Sequence, residues 1–400
     1  MLYCTNHNND DICENAGEFW SLYGLDWNKD KKILLDFLPQ LIPVLLNRCK
    51  YTSEQIDAID FDDDDCTKTP DKDKDIKPYH YTSKSEINSN NDEDSKQEID
   101  YWEDNNWNIR KCCANQLDKL SSIHQLRESL LKIILPLIVK KMKSNDYLDN
   151  ECGILALGAL TNSGFDIIKN DFTNIIPFIL NKTNSDKILL KQICYWILAR
   201  FSRWYITKEG NKFYGTILNT FTKGMMDKSK RVQSASCGGM AAFAYETGIN
   251  IVKPKYIENI VTTLTFGFNN YQLNNYPQLI DTSIQIVNQI MKTKDGYKII
   301  QTAKIQDALL EPLIKKWIKI ENSNVYNQSL FPIFEALSKW IFVMGNSEYF
   351  QNKYLNVIYI RGLNMACTLQ QNIKDYTEAM ESMEEILKDN NNNNNSNNNI

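Results

Sequence analysis

The sequence lacks the features that mark an enzyme, a metalloprotein or a membrane protein. Its 400 residues include only three histidines, and none is spaced with cysteine or carboxylate as a metal site requires. No apolar run approaches the roughly 18–20 residues of a membrane span, and the opening MLYCTNHNND lacks the pattern of a signal peptide. Glycine-rich phosphate loops and Ser/His/Asp arrangements are also missing. We therefore expect no catalysis, cofactor, metal site or membrane insertion.

The ten cysteines do not indicate disulfides. They contain no CxxC pair, and several fall in helical apolar stripes, where a buried free thiol is expected. This distribution favours a reducing compartment.

Charge is unevenly distributed along the chain. Residues 52–104 contain 18 Asp and Glu against 6 Lys and Arg, so this stretch carries −12 and leaves +7 on the rest of a chain whose net charge is −5. Because the stretch is also poor in aliphatic residues, we predict a long, mostly disordered acidic loop inserted between two helices of one hairpin. The asparagine tract at 389–400 is predicted to be a disordered tail.

Helical periodicity recurs nearly everywhere, whereas the alternation of β-strands is almost absent. Pro136 in ILPLIV returns as Pro177 in IIPFIL, 41 residues later. Four positions on the second helix of successive pairs share this interval of 41 residues: Ala114, Leu155, Trp196 and Cys237. Helical hairpins repeating every 40–47 residues are typical of HEAT or armadillo arrays. We predict an all-α fold, an α-solenoid superhelix of about eight HEAT repeats.

The segment KQICYWILARFSRWY, residues 191–205, contains an apolar stripe that would dock a helix and a second stripe of large side chains beside it. The first stripe comprises Leu190, Cys194, Ile197, Phe201 and Trp204. The second stripe comprises Ile193, Trp196, Arg200 and Arg203. In a solenoid, the second helix of each pair lines the concave groove. Trp196 is therefore either packing between layers or an aromatic anchor for a bound peptide.

Several longer motifs extend this pattern. They are GEFWSLYG (17–24), FLPQLIPVLLNRCKY (37–51) before the acidic loop, NNWNIRKCCANQLDKL (105–120) after it, ECGILALGAL (151–160), ICYWILARFSRW (193–204), DKSKRVQSASC (227–237) and EPLIKKW (311–317). From about residue 1 to about 375, these motifs and their spacing resemble the transportins, the karyopherin-β2 nuclear import receptors.

The resemblance implies a HEAT superhelix that binds proline-tyrosine nuclear localisation signals of cargo proteins in its concave groove. It implies release of cargo when RanGTP binds the N-terminal arch and acts through the acidic loop. It further implies contact with nuclear pore proteins and shuttling between cytoplasm and nucleus, without direct binding of nucleic acid. The positions that would bind the cargo signal are Asp118, Leu155, Ile193, Trp196, Arg200, Ala235, Gly238 and Asp281.

The chain also departs from the family pattern. Asn115 replaces a small alanine of the pocket, and Tyr245, followed by Glu246, stands where the family offers a glutamate to the cargo arginine. Both ends look like cuts, and without the N-terminal arch Ran binding would be weakened. We therefore expect HEAT repeats over 1–51, the first incomplete, the acidic loop over 52–104, and repeats with the cargo groove over 105–388. The alternatives are a truncated paralogue that binds cargo without Ran control, or a generic HEAT scaffold, against which the acidic loop argues.

Overall fold

The structure is a computed structural model that describes residues 1–7, 9–26, 31–59, 61, 65, 109–272, 275–302, 304–322, 330–344, 347–367, 370–371 and 374. Contacts divide the chain into two units, Met1–Ile333 and Phe334–Ile400, and each is described by itself. The asparagine tail and residues 66–108 of the insertion lie outside the described residues, so the disorder expected for them stays a prediction.

The described residues are helical almost throughout, which confirms the predicted all-α class. Within them, β structure is limited to one isolated bridge between Asp65 and Ser229. The α-helices are α1 (Leu2–Thr5), α2 (Asp10–Leu25), α3 (Lys31–Arg48), α4 (Ser53–Asp57), α5 (Ile109–Ser122), α6 (His124–Met142), α7 (Tyr147–Ala159), α8 (Thr161–Ile168), α9 (Phe172–Lys182), α10 (Ile188–Arg200), α11 (Asn211–Met225), α12 (Lys230–Thr247), α13 (Pro254–Asn270), α14 (Tyr276–Met291), α15 (Gly296–Thr302), α16 (Ile305–Asn322), α17 (Leu330–Met344) and α18 (Glu348–Phe350). Short 3₁₀ turns cover Lys169–Asp171, Trp204–Ile206 and Gly248–Val252, and a π-helical turn covers Gln351–Leu355 and continues as α-helix over residues 356–367.

Helices of the first unit pack in pairs. The pairs are α3 with α5, α6 with α7, α9 with α10, α11 with α12, and α13 with α14. We call the second member of each pair a B helix; the B helices α5, α7, α10, α12 and α14 also pack against one another in chain order. Each pair covers the apolar face of its neighbour, which is how a HEAT-type solenoid buries its core without distant contacts.

The B helices are buried nearly all round because they have neighbours on several sides. In α10 the first predicted stripe is buried, from Leu190 to Trp204. Its aromatic end packs on the preceding helix, with the Phe172 and Phe201 ring centres 4.2 Å apart. The helix itself ends at Arg200, so Phe201 lies in a turn and Trp204 in a 3₁₀ helix, although the periodicity predicted one helix to residue 205.

Polar side chains join successive B helices. Asn275, which precedes α14, donates an Nδ2 hydrogen bond of 2.9 Å to the backbone oxygen of Lys230 at the start of α12. Further along the same two helices, Thr282 donates an Oγ1 hydrogen bond of 2.8 Å to the backbone oxygen of Cys237. These bonds satisfy polar groups that are buried between layers, and they fix the register of one repeat on the next.

The second unit is helical in its described part. Buried aromatic side chains, among them Trp340, Phe350 and Tyr354, form its interior. No helix among the described residues of either unit is long and apolar enough to cross a membrane.

Candidate functional site

Trp196 lies on α10 and covers Gly158 of the preceding B helix α7. A Cβ atom placed on Gly158 would overlap the six-membered part of the indole, so the two helices approach closely only because residue 158 is glycine. The tryptophan is 7% exposed. Packing between layers, one of the two roles predicted for Trp196, is therefore present, and the other, anchoring a bound peptide, stays a prediction.

Arg200, one helical turn further along α10, lies over Trp196. Its Cζ atom is 5.0 Å from the centre of the indole, which is the geometry of a cation–π contact. Arg200 is half-buried. The second stripe of the sequence therefore presents a stacked pair, an indole covered by a guanidinium.

The other predicted site residues differ in how much surface they offer. Leu155 and Ile193 are buried, and Asp118 and Ala235 are nearly so. Gly238 on α12 is exposed, and a Cβ there would meet no atom within 4 Å. The eight residues lie on five successive B helices; Arg200, Gly238 and Asp281 offer accessible surface, whereas Trp196 is as buried as Ala235, each being 7% exposed.

Asp281 on α14 lies close to the part of α12 that carries Gly238. Burial, helped by the negative charge of the Asp281 carboxylate and opposed by hydrogen bonds with Tyr271 and Thr282, raises the pKa of the neighbouring Cys237 thiol to about 12. Asp281 is half-buried. A carboxylate in this position is of the kind that accepts hydrogen bonds from a guanidinium or a phenol.

A second arginine follows α10. Arg203 Nε donates to Glu246 Oε2 at 2.7 Å, and its Nη2 donates to Glu246 Oε1 at 3.1 Å, so the pair is bidentate. Glu246 lies near the end of α12, and its neighbour Tyr245 is exposed. Arg203 belongs to the second stripe predicted from the sequence, but its contact with Glu246 was not predicted. The signal was available, because Arg203 and Glu246 are 43 residues apart, close to the repeat length.

The first residues of the acidic insertion form a short helix, Ser53–Asp57, at the start of the loop that was predicted to be mostly disordered from residue 52 onward. Thr52 caps α4 with a capping box completed by Gln55. Tyr51, Ile59 and Leu189 then form a buried cluster, with Ile56 and Leu148 packed against it. We call residues 51–59 the leading segment; it lies against the starts of the B helices α7 and α10.

Asp65 continues this path. Its backbone forms an antiparallel bridge with Ser229, the residue that caps α12. Ala235 lies six residues further along, about 9 Å along the helix axis at 1.5 Å per residue. The insertion thus reaches the helix that carries Ala235 and Gly238 within fifteen residues of Tyr51.

Similarity to known proteins agrees with this architecture. No protein-family model matches the chain. The chain is 30% identical over 346 residues to Transportin-1 of Mus musculus, covering 84% of this chain and 37% of that protein. It is 30% identical over 365 residues to Importin subunit beta-2 of Schizosaccharomyces pombe, covering 84% and 38% respectively. The chain therefore spans less than two-fifths of the length of these curated relatives.

The fold has solved counterparts. The structure of Kap121p bound to Pho4p superposes with a TM-score of 0.54 at 14% identity, covering 88% of this chain and 33% of that one. This likeness places the fold among the HEAT-repeat solenoids of the karyopherins. With the sequence similarity, it shows that the chain belongs to the transportin family, as its motifs predicted.

Proposed function

We propose that this chain is part of a nuclear import receptor and binds proline-tyrosine nuclear localisation signals on its B helices. Membership of the transportin family supports the receptor class. The observation that carries the binding site is the stacked pair of Trp196 and Arg200 on α10, the helix that packs against α12 with its exposed Gly238. On this proposal the chain shuttles between cytoplasm and nucleus, meets nuclear pore proteins and catalyses no reaction.

The chemistry of a Pro-Tyr signal suits these groups. The proline ring can pack on the exposed edge of Trp196, and the guanidinium of Arg200 can stack on the tyrosine or donate to the peptide backbone. Gly238 allows a peptide backbone to approach α12, since no side chain stands between them. Asp281 supplies a carboxylate for an arginine upstream in the signal. Leu155 and Ile193 act by supporting the helices, because they offer almost no surface.

The acidic insertion provides regulation in this proposal. It carries a net charge of −12, and its leading segment and Asp65 bring it to the start of α12. A polyanion tethered beside the site competes with a basic peptide at a high effective concentration. Release linked to the GTPase Ran, through this loop, is the form that the family resemblance implies. In a paralogue without Ran control, the acidic insertion would still compete with the peptide, but Ran would not trigger release.

Neighbours in fold support binding of protein ligands in general. Kap121p has been solved in complex with Pho4p, with Ste12p and with Nup53p. A peptide titration decides whether this chain binds a signal at all. A fluorescent peptide with an arginine two to five residues before Pro-Tyr should bind the wild type, and Trp196→Ala should weaken binding by at least about 2 kcal/mol, as for a buried aromatic hot spot. No binding to the wild type would favour the HEAT scaffold instead.

A further inference from the structure

Arg200 and Arg203 already occupy the groups on this chain that would attract an arginine of a bound peptide. A guanidinium is recognised best by an aromatic face or by a carboxylate with two free oxygens. Arg200 covers the indole of Trp196. Arg203 holds both oxygens of Glu246, with donor–acceptor distances of 2.7 and 3.1 Å.

The Arg203–Glu246 ion pair lies where it can be broken at little cost. The Arg203 side chain is 74% exposed and that of Glu246 is 26% exposed, so solvent reaches both partners. Exposed ion pairs stabilise a fold only weakly, because water and salt screen them and two long side chains must be held still. Another guanidinium in the place of Arg203 could make the same two hydrogen bonds to the Glu246 carboxylate.

The pair also joins the turn after α10 to the end of α12, and these two helices carry Trp196 and Gly238. Tyr245, the residue before Glu246, is 49% exposed and lacks a carboxylate. At this end of α12, Glu246 is thus the acidic side chain that a basic ligand would meet, and the chain itself has already neutralised it.

We propose that Arg203 is an internal competitor that occupies Glu246 until an arginine of the bound peptide replaces it. The proposal rests on the function proposed above. Because the group to be displaced is a planar fork, a second guanidinium replaces it fully, whereas a lysine ammonium offers one point of contact. Arg203 is in this way a specificity-determining residue that favours arginine over lysine in the cargo signal.

A double-mutant cycle tests the exchange. Affinities of two labelled peptides, an Arg-x-x-Pro-Tyr peptide and its Lys-x-x-Pro-Tyr counterpart of equal charge, are measured for wild type, Arg203→Ala, Glu246→Gln and the double variant. Arg203→Ala should tighten the arginine peptide by about two- to fivefold, the range that exposed pairs support. The same substitution should have no such effect in the Glu246→Gln background, and less effect on the lysine peptide. Lys132→Ala, which removes one positive charge from an exposed pair on α6, is the matched control and should change neither affinity.

Plain charge repulsion predicts a different result. It would tighten both peptides equally on Arg203→Ala, with or without Glu246, and that outcome would overturn the competition while leaving the binding site in place. An unchanged affinity for Arg203→Ala would overturn it as well. If no variant binds either peptide, the proposed function fails and the competition with it. Circular dichroism of each variant confirms folding, which is expected because both side chains are solvent-accessible.

Discussion

The guanidinium of Arg110 lies 4.0 Å from the centre of the Tyr51 ring, so the residues on either side of the acidic insertion are stacked on each other. Arg110 also forms a buried ion pair with Glu151 of the next B helix. Through this contact the base of the insertion is closed and fixed to α7. An insertion of this length can then be added to the hairpin α3/α5 without separating its helices.

Removing Glu151 should be strongly destabilising. Glu151→Ala leaves the Arg110 guanidinium buried without its carboxylate, and loss of one partner of a buried pair lowers the free energy of unfolding by about 3–5 kcal/mol. Chemical denaturation followed by circular dichroism measures this difference. Glu128→Ala, which breaks the exposed pair with Lys132, is the control and should leave the denaturation midpoint nearly unchanged. Equal midpoints for the two variants would show that the Arg110–Glu151 pair does not hold the hairpin.

The leading segment should contribute to stability through Ile59. Ile59→Ser removes an apolar side chain from the cluster with Tyr51 and Leu189, which should lower the free energy of unfolding by about 1–3 kcal/mol. Amides of α4 should then exchange faster with deuterium, because the turn is held by this cluster. Ile33→Ser, at an exposed position of α3, is the matched control. Unchanged exchange in α4 would mean that its capping box suffices.

Stability should fall in acid through Asp149. Burial alone would raise the pKa of Asp149, but hydrogen bonds from Lys50 and Lys141 outweigh it and lower the pKa below its ordinary 3.8. A carboxyl with a lowered folded-state pKa stabilises the protein above its unfolded pKa, and this contribution disappears as the pH falls through the folded pKa. At neutral pH the free energy of unfolding of the wild type should thus exceed that of Asp149→Asn by up to about 1 kcal/mol. The two unfolding free energies should converge as the pH is lowered below 3.8. A constant difference at all pH values would point to packing rather than charge.

Deleting the acidic part of the insertion should strengthen peptide binding at low salt. In this variant, residues 60–98 are replaced by a short Gly/Ser linker, which leaves the leading segment intact. The gain should fade as salt rises, because exposed charges are screened over about 10 Å at 0.1 M ionic strength. A full-length insertion with its Asp and Glu changed to Asn and Gln is the control, and it should behave like the deletion if charge is the cause. Affinities that stay equal at every salt concentration would leave the insertion without a competing role.

Most of the fold could be predicted from the repetition in the sequence. The interval of 41 residues that relates Leu155 to Trp196 also separates the contacting pair Arg110 and Glu151, since neighbouring repeats bring equivalent positions together. The same logic covers Arg203 and Glu246, 43 residues apart, but a one-dimensional pattern does not say which equivalent side chains touch. That depends on helix rotation and on close approaches such as Trp196 on Gly158.

Local breaks were harder to predict. The apolar periodicity runs on to Trp204, but α10 ends at Arg200. The turn that follows buries Phe201 and Trp204 as well as a helix would, so the periodicity alone does not reveal where the helix ends. The order of the leading segment was obscured by its acidic surroundings. Its signals were the capping pattern from Thr52 to Gln55 and the apolar Ile56 and Ile59, which lie within a stretch whose average composition indicates disorder.

The most direct test of the account is steric closure of the proposed site at Gly238. A Cβ at Gly238 meets no atom within 4 Å, so Gly238→Leu fills open space on the exposed face of α12 without disturbing the core. Gly362→Leu is a matched control, since Gly362 is also helical and also has nothing within 4 Å of its Cβ. Both changes replace glycine by a better helix former and should not lower stability. We predict that Gly238→Leu weakens binding of the Arg-x-x-Pro-Tyr peptide at least tenfold, which corresponds to a loss of about 1.4 kcal/mol in binding free energy. The Gly362→Leu variant should bind the peptide like wild type. Wild-type affinity in a folded Gly238→Leu protein would contradict the assignment of this face as the signal-binding site.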